Sequence, residues 1–208
     1  MRARLLNAFC SAFIVVLALG APPPALAQDT KPYEGFLCCS LLSNGSWISD
    51  LAYDDGSQKI VPAGTPVKFT SFGRWRMYLE IDGKQVGLGN DYSRTMTLDE
   101  FAKLYVPTQD PKVRMQAWPA KVREAVLNRK VMRGMTREQV SMSLGHPSTS
   151  YNPDLTKPLW QYRYRAGDFQ VFWTDDGKVD LVFGPPEVRK RVLVEKRAKR
   201  APGAAPRI

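Results

Sequence analysis

The stretch VMRGMTREQVSMSLGHPSTS, residues 131–150, decides the fold of the second half of this chain. It predicts a loop, then a helix, then a stop signal. Thr136 is a residue type preferred at a helix N-cap, because its hydroxyl can accept a hydrogen bond from an unpaired backbone N–H group. Gln139 follows three residues later, where its side chain can reach back to the N-cap residue in a capping box. We therefore expect the helix to begin directly after Thr136.

Local sequence also predicts the body and the end of this helix. Val140 and Leu144 are four residues apart, so both side chains lie on one face of the helix. Gly145 can adopt the left-handed conformation that ends a helix, and Pro147 prevents the helix from resuming. The helix is therefore expected to end at Gly145.

The residues that follow this helix predict strands. Trp160, Tyr162 and Tyr164 alternate with polar residues, and this period of two places the aromatic side chains on one face. Residues 169–173 alternate in the same way, and the Asp-Gly pair at 176–177 predicts a tight hairpin turn before a last strand over 179–183. We expect the aromatic set, with Trp173, to form a core that faces the helices.

The first half of the chain has a different character. Residues 36–96 contain short alternating segments separated by turns, such as the Asp-Gly pair at 82–83, and they predict a small barrel or meander. Thr97 and Glu100 form a second capping-box pattern, which opens a short helix. Prolines then interrupt the chain over 106–117, and a further helix is expected over 119–131.

The helix motif and the strands after it resemble the BamE-like (SmpA/OmlA) family of small outer-membrane assembly lipoproteins, over residues 118–184. The resemblance implies an α-α-β-β-β domain whose motif serves the fold and a partner surface rather than a reaction centre. The residues that match its signature and its aromatic strand are Gly134, Met135, Thr136, Gln139, Val140, Leu144, Gly145, Pro147, Trp160 and Tyr162. The stretch IVPAGTPVKF, residues 60–69, resembles part of bacterial SH3-like domains, which implies an SH3-like module over 36–96.

We therefore predict an α+β protein in which an N-terminal small β-barrel or SH3-like module precedes a BamE-like domain. The predicted parts are a signal peptide at 1–27, the β-rich module with a short helix at 28–105, a linker at 106–117, the BamE-like domain at 118–186 and a basic tail at 187–208.

The N-terminus has the pattern of an export signal. Arg2 and Arg4 precede an apolar run, and residues 25–27 read Ala-Leu-Ala, a cleavage site of the A-x-A type. We expect cleavage between Ala27 and Gln28 and a periplasmic protein, with association to the outer membrane left open. The BamE-like family carries a cysteine directly after the signal for lipidation. Since Gln28 stands there in this chain, the mature protein is predicted not to be lipidated.

The positive charge of the chain is concentrated at its C-terminus. The formal net charge is +10, and residues 187–208 contain eight basic residues against two acidic ones. Such a tail can bind anionic lipid or another polyanion, or it can simply keep the protein in solution. Nucleic acid is not an expected partner of an exported protein.

Few residues suggest chemistry. Cys38 and Cys39 are the only cysteines after the signal, and they can form a vicinal disulfide, link to another chain or remain reduced and buried. Adjacent cysteines are unfavourably placed for ordinary disulfide geometry. The only histidine, His146, is expected to be an exposed loop residue, so the pattern predicts no metal site, no cofactor and no nucleophile–base pair.

The sequence thus predicts an exported, non-catalytic binding or scaffolding factor of the bacterial envelope with a protein partner. The resemblance implies a role similar to that of outer-membrane protein assembly factors. The alternative is a module that binds cell wall or another polyanion through its N-terminal SH3-like domain.

Overall fold

A computed structural model describes residues 31–51 and 56–194, and it confirms the α+β class. The helices are α1 (Leu98–Tyr105), α2 (Pro111–Met115), α3 (Ala120–Leu127), α4 (Arg137–Leu144) and α5 (Pro186–Val192). The strands are β1 (Tyr33–Phe36), β2 (Leu41–Ser43), β3 (Trp47–Ile48), β4 (Lys59–Val61), β5 (Pro66–Gly73), β6 (Arg76–Ile81), β7 (Lys84–Gly89), β8 (Leu159–Tyr162), β9 (Phe169–Trp173) and β10 (Val179–Phe183).

The first seven strands form one sheet in the order β1-β5-β6-β7-β3-β2-β4. Neighbouring strands are antiparallel except β3 and β7, which are parallel. The sheet is open, with β1 and β4 at its edges, so the prediction of a small barrel is wrong, whereas the consecutive strands β5, β6 and β7 have the order of a meander. One reason lies at β1, where the Phe36 N–H donates to the Pro107 carbonyl at 2.9 Å. The segment after α1 thereby occupies part of the edge that a closing strand would need.

The β6–β7 hairpin follows the predicted turn chemistry. Asp82 and Gly83 have φ angles of 50° and 73°, the positive values that a two-residue turn of this kind requires. Met77 and Leu79 of β6 are fully buried under α1 and its neighbours, as the alternation indicates. Trp75 precedes β6 in a turn and is 41% exposed.

The second sheet has the order β10-β9-β8 and is antiparallel throughout. Its inner face packs on α3 and α4, as the aromatic alternation predicts. Trp160 and Trp173 meet edge to face with ring centroids 4.6 Å apart, and Tyr162 stacks on Phe169 at 5.2 Å. Each of these rings is at most 6% exposed, so the aromatic core is confirmed.

Two segments are more ordered than their composition indicates. The predicted linker 106–117 contains α2, which Asp110 caps by accepting from the Lys112 N–H at 2.8 Å. The tail predicted at 187–208 begins instead with α5. Its Val188 and Val192 are buried in the core that α3 and α4 form with the three-stranded sheet. The remainder of that tail and the signal, with Ala27 and Gln28, lie outside the described residues. Within the described ranges, the structure has no helix of the length and apolarity that crossing a membrane requires.

Candidate functional site

The capping-box motif of α4 has the geometry that its spacing predicts. The Thr136 hydroxyl accepts from the Gln139 N–H at 3.2 Å, and the Gln139 side-chain carbonyl accepts from the Thr136 N–H at 2.9 Å. Gly145 ends the helix with a φ of 93°, and its carbonyl accepts a hydrogen bond from the Tyr162 hydroxyl at 3.3 Å. The motif therefore joins α4 to the strand that follows it in the chain.

Most of the motif is internal. Gly134 is exposed, with a φ of 85°, and Thr136 is partly exposed. The other predicted residues are buried and build the core rather than a contact surface: Met135, Gln139, Val140, Leu144, Gly145, Pro147, Trp160 and Tyr162.

The two cysteines form the first of the three arrangements considered, a vicinal disulfide between Cys38 and Cys39. Cys38 is 6% exposed and Cys39 is fully buried. The segment is held from both sides, because the Cys38 N–H donates to the Tyr105 carbonyl at 3.0 Å and the Ser40 N–H donates to the Met142 carbonyl at 2.9 Å. The cysteines therefore lie where α1 and α4 meet the first sheet.

His146 lies in a loop, as predicted, but it is beside this disulfide and partly buried rather than exposed. One ligand atom from each of Cys38, Cys39 and His146 lies within 4.8 Å of the others. The partly buried imidazole meets the Tyr105 ring edge to face, with centroids 5.5 Å apart. Burial, and then the positive charge of Arg114, lower the pKa of His146 to about 4. We call these three side chains the cysteine–histidine cluster.

Arg129 ties the cysteine segment to α4, and nothing in the sequence pattern singles it out. Its guanidinium is buried, and it donates to the Ser40 carbonyl and, at 3.2 Å, to the Leu144 carbonyl. The Ser40 hydroxyl in turn accepts from the Ala63 N–H at 3.2 Å. The segment before β2 and the end of α4 thus meet at the buried Arg129 guanidinium, and the loop before β5 is bound to that segment through Ser40.

Asp50 is a second buried charged group. Its carboxylate accepts from the Tyr92 N–H at 2.9 Å, which anchors the loop after β7. Burial raises the pKa of Asp50 to about 6, and the hydrogen bond from Tyr92 opposes that rise. Burial also raises the pKa of Tyr105 well above its ordinary value, with a smaller contribution from the charge of Asp50.

The outer face of the three-stranded sheet carries four apolar side chains, of which two are exposed and two, Leu159 and Phe172, are partly buried. Leu159, Phe172 and Leu181 are paired in register across β8, β9 and β10, and Phe183 lies in the next row. Leu181 is 51% exposed and Phe183 is 62% exposed. A register shift between Val179 and Leu181 turns these two side chains outward although Val179 is buried. We call the four side chains the apolar strip.

The outer face of the seven-stranded sheet is basic and aromatic. The Trp47 ring lies over Gly87 and Gly89, where a Cβ atom would approach the indole to 2.8 Å and 2.4 Å. The Arg76 guanidinium stacks over this indole at 4.8 Å from the ring centroid. Because both positions are glycine, the indole can pack directly on the backbone of β7.

A second set of rings continues this face. Arg94 and Arg74 lie over the Trp75 ring, 4.8 Å and 5.9 Å from its centroid. We call these three residues, with Trp47 and Arg76, the arginine–aromatic face. Among the described residues, no carboxylate forms an ion pair with Arg74 or Arg76.

Comparison with known proteins adds no relative to this picture. No protein-family model, curated protein or solved structure matches the chain. The apolar strip, the arginine–aromatic face and the cysteine–histidine cluster are therefore the features from which function is inferred.

Proposed function

We propose that this protein is a non-catalytic binding or scaffolding factor of the bacterial envelope, similar to outer-membrane protein assembly factors. The element order α3, α4, β8, β9, β10 supports the BamE-like arrangement on which this proposal draws. The observation that carries the proposal is the apolar strip, because it offers a contiguous apolar surface on a sheet whose other face is already packed.

The apolar strip is suited to a protein partner. Burying a leucine or phenylalanine side chain contributes roughly 1.5–3 kcal/mol, so covering the exposed parts of four such side chains contributes several kcal/mol to binding. β10 is an edge strand, so residues 181–183 also offer backbone groups to an added strand. The partner is therefore an envelope protein that presents an extended apolar segment.

Site-specific crosslinking in intact cells tests this proposal. A photoreactive residue at Leu181 or Phe183 should form an adduct with one envelope protein. The same residue at Val113 of α2, which is 65% exposed, is the matched control and should not form that adduct. Replacing Phe172 by Ser should reduce the adduct at Leu181. Adducts of equal yield at Val113, or none at either strip position in a folded protein, would refute the proposal.

The arginine–aromatic face favours a second function, binding of an anionic cell-wall polymer. Arginine matches carboxylate and phosphate groups through its fork of N–H donors, and the rings give flat apolar surface to a ligand. Replacing Arg74 and Arg76 together by Ala should abolish co-sedimentation with peptidoglycan sacculi at low salt. Lys84→Ala, at the far end of the β6–β7 hairpin, is the control. Unchanged co-sedimentation of the arginine variant would exclude this function.

A further inference from the structure

The cysteine–histidine cluster has a chemical capacity that the proposed function does not use. Thiolates and imidazole are the ligands that soft and borderline metal ions prefer. Cys38, Cys39 and His146 each offer one ligand atom, and these atoms lie within 4.8 Å of one another. Atoms bound at about 2.1–2.3 Å from one ion are separated by at most about 4.6 Å. Only a small movement is therefore needed for all three to bind the same ion.

We propose that, once the disulfide is reduced, Cys38, Cys39 and His146 bind one Cu(I) ion. The number of ligands and their shielding favour this ion. Zinc takes four ligands, either all from the protein or three with a water in an open position, whereas Cu(I) is an ion that soft thiolates select. Cys39 is fully buried and Cys38 is 6% exposed, which disfavours water as a fourth ligand. Among the histidine, cysteine, aspartate and glutamate residues that the structure describes, the grouping contains these three side chains and no fourth.

The surrounding backbone holds the three ligands in place. Hydrogen bonds to the carbonyls of Tyr105 and Met142 hold the cysteine segment, and Arg129 binds the Ser40 carbonyl directly after it. The His146 ring is oriented by Tyr105, and the residue before it, Gly145, is fixed at the end of α4. A site built on such contacts is preorganised for its ion.

The site is shielded from solvent. Cys39 is fully buried and Cys38 is 6% exposed, whereas His146 is partly exposed. The imidazole is therefore the ligand nearest to solvent, and the low exposure of the cysteines limits the exchange of a bound ion with solvent.

Metal binding is coupled to the redox state of the pair. A dithiol reductant supplies two electrons and two protons, which break the S–S bond and leave two thiols, while the reductant becomes a disulfide. The Cu(I) ion then replaces the two thiol protons, which are released to solvent. In the oxidised protein both sulfur atoms are bound to each other and neither is available as a thiolate ligand.

Titration with Cu(I) as the only added metal is the first test of this proposal. The full chain with Cys10→Ser leaves Cys38 and Cys39 as its only cysteines. After reduction and removal of the reductant under argon, it should compete with a chromophoric chelator for one Cu(I) ion per chain. The oxidised protein should bind none. X-ray absorption of the copper-loaded protein should show two sulfur ligands and one nitrogen ligand.

A variant and a second metal complete the test. His146→Gln should weaken Cu(I) affinity at least about tenfold and leave the far-ultraviolet circular dichroism unchanged. The proposal is overturned if the oxidised protein binds Cu(I) equally well, if the reduced protein binds none, or if the absorption spectrum lacks the nitrogen ligand. Tighter binding of Zn(II) than of Cu(I) would overturn the assignment of the ion.

Discussion

Replacing Thr136 by Ala tests how the motif of α4 stabilises the fold. The substitution removes the hydroxyl that accepts from the Gln139 N–H at 3.2 Å. The return hydrogen bond to the Thr136 N–H uses only backbone and the Gln139 side chain, so it can remain. Gln139 is 8% exposed, and its N–H therefore loses its acceptor in a place that water reaches poorly.

The expected cost follows from this burial. Loss of an N-cap side chain costs about 1 kcal/mol on average, and a buried donor left without an acceptor costs roughly 1–3 kcal/mol. We therefore expect Thr136→Ala to lower the free energy of unfolding by about 1.5 kcal/mol. Thr97→Ala breaks the same kind of box at α1, where the contacts are solvent-exposed, so that cost should be nearer 0.5 kcal/mol.

Urea unfolding followed by tryptophan fluorescence and circular dichroism measures both changes. For a chain of this size, each kcal/mol also lowers Tm by about 2–4 °C. Thr136→Ser keeps the accepting oxygen and should retain most of the stability. The reasoning is refuted if Thr136→Ala leaves the midpoint unchanged, or if Thr136→Ser is as destabilised as Thr136→Ala.

Three further predictions concern packing and charge. Val188→Ala should lower the free energy of unfolding by roughly 2 kcal/mol in urea unfolding, because α5 is part of the core, and an unchanged midpoint would show that α5 does not dock. Arg129→Met should cost about 3 kcal/mol, since it leaves two buried carbonyls without their donor, and a cost below that of Thr136→Ala would contradict this. Because folding raises the pKa of Asp50 from 3.8 to about 6, the folded state holds the Asp50 proton more tightly, and the contribution of Asp50 to stability should fall as the pH rises from about 4 to about 6. In Asp50→Asn this contribution should be absent when the urea midpoints of variant and wild type are compared across this pH range. If the two midpoints change in parallel with pH, the raised pKa does not belong to Asp50.

Local features of the fold could be predicted because they depend on neighbours in sequence. The capping boxes at Thr97 and Thr136 need only a residue three positions later, and the turn at 82–83 needs only residues that accept positive φ. The aromatic core of β8 and β9 follows from a period of two, which places alternate side chains on one face.

The features that carry the functional proposals depended instead on the tertiary structure. The register shift in β10 reverses the alternation, so Leu181 faces outward although Val179 is buried, and no local signal marks that shift. At the β1 edge of the first sheet, the Phe36 N–H donates to the Pro107 carbonyl in the segment after α1, a contact between parts of the chain that are far apart in sequence.

The site residues divide in the same way into those that local sequence determined and those that only the tertiary structure brought together. Sequence alone determined the helix, the strands and the core positions of the motif, because propensity, spacing and periodicity act over a few residues. Only the tertiary structure brought His146 to Cys38 and Cys39 and placed the Arg129 guanidinium between Ser40 and Leu144. These groups are far apart along the chain, and their contact requires α4 to pack against the first sheet, which is a property of the assembled core rather than of any local stretch.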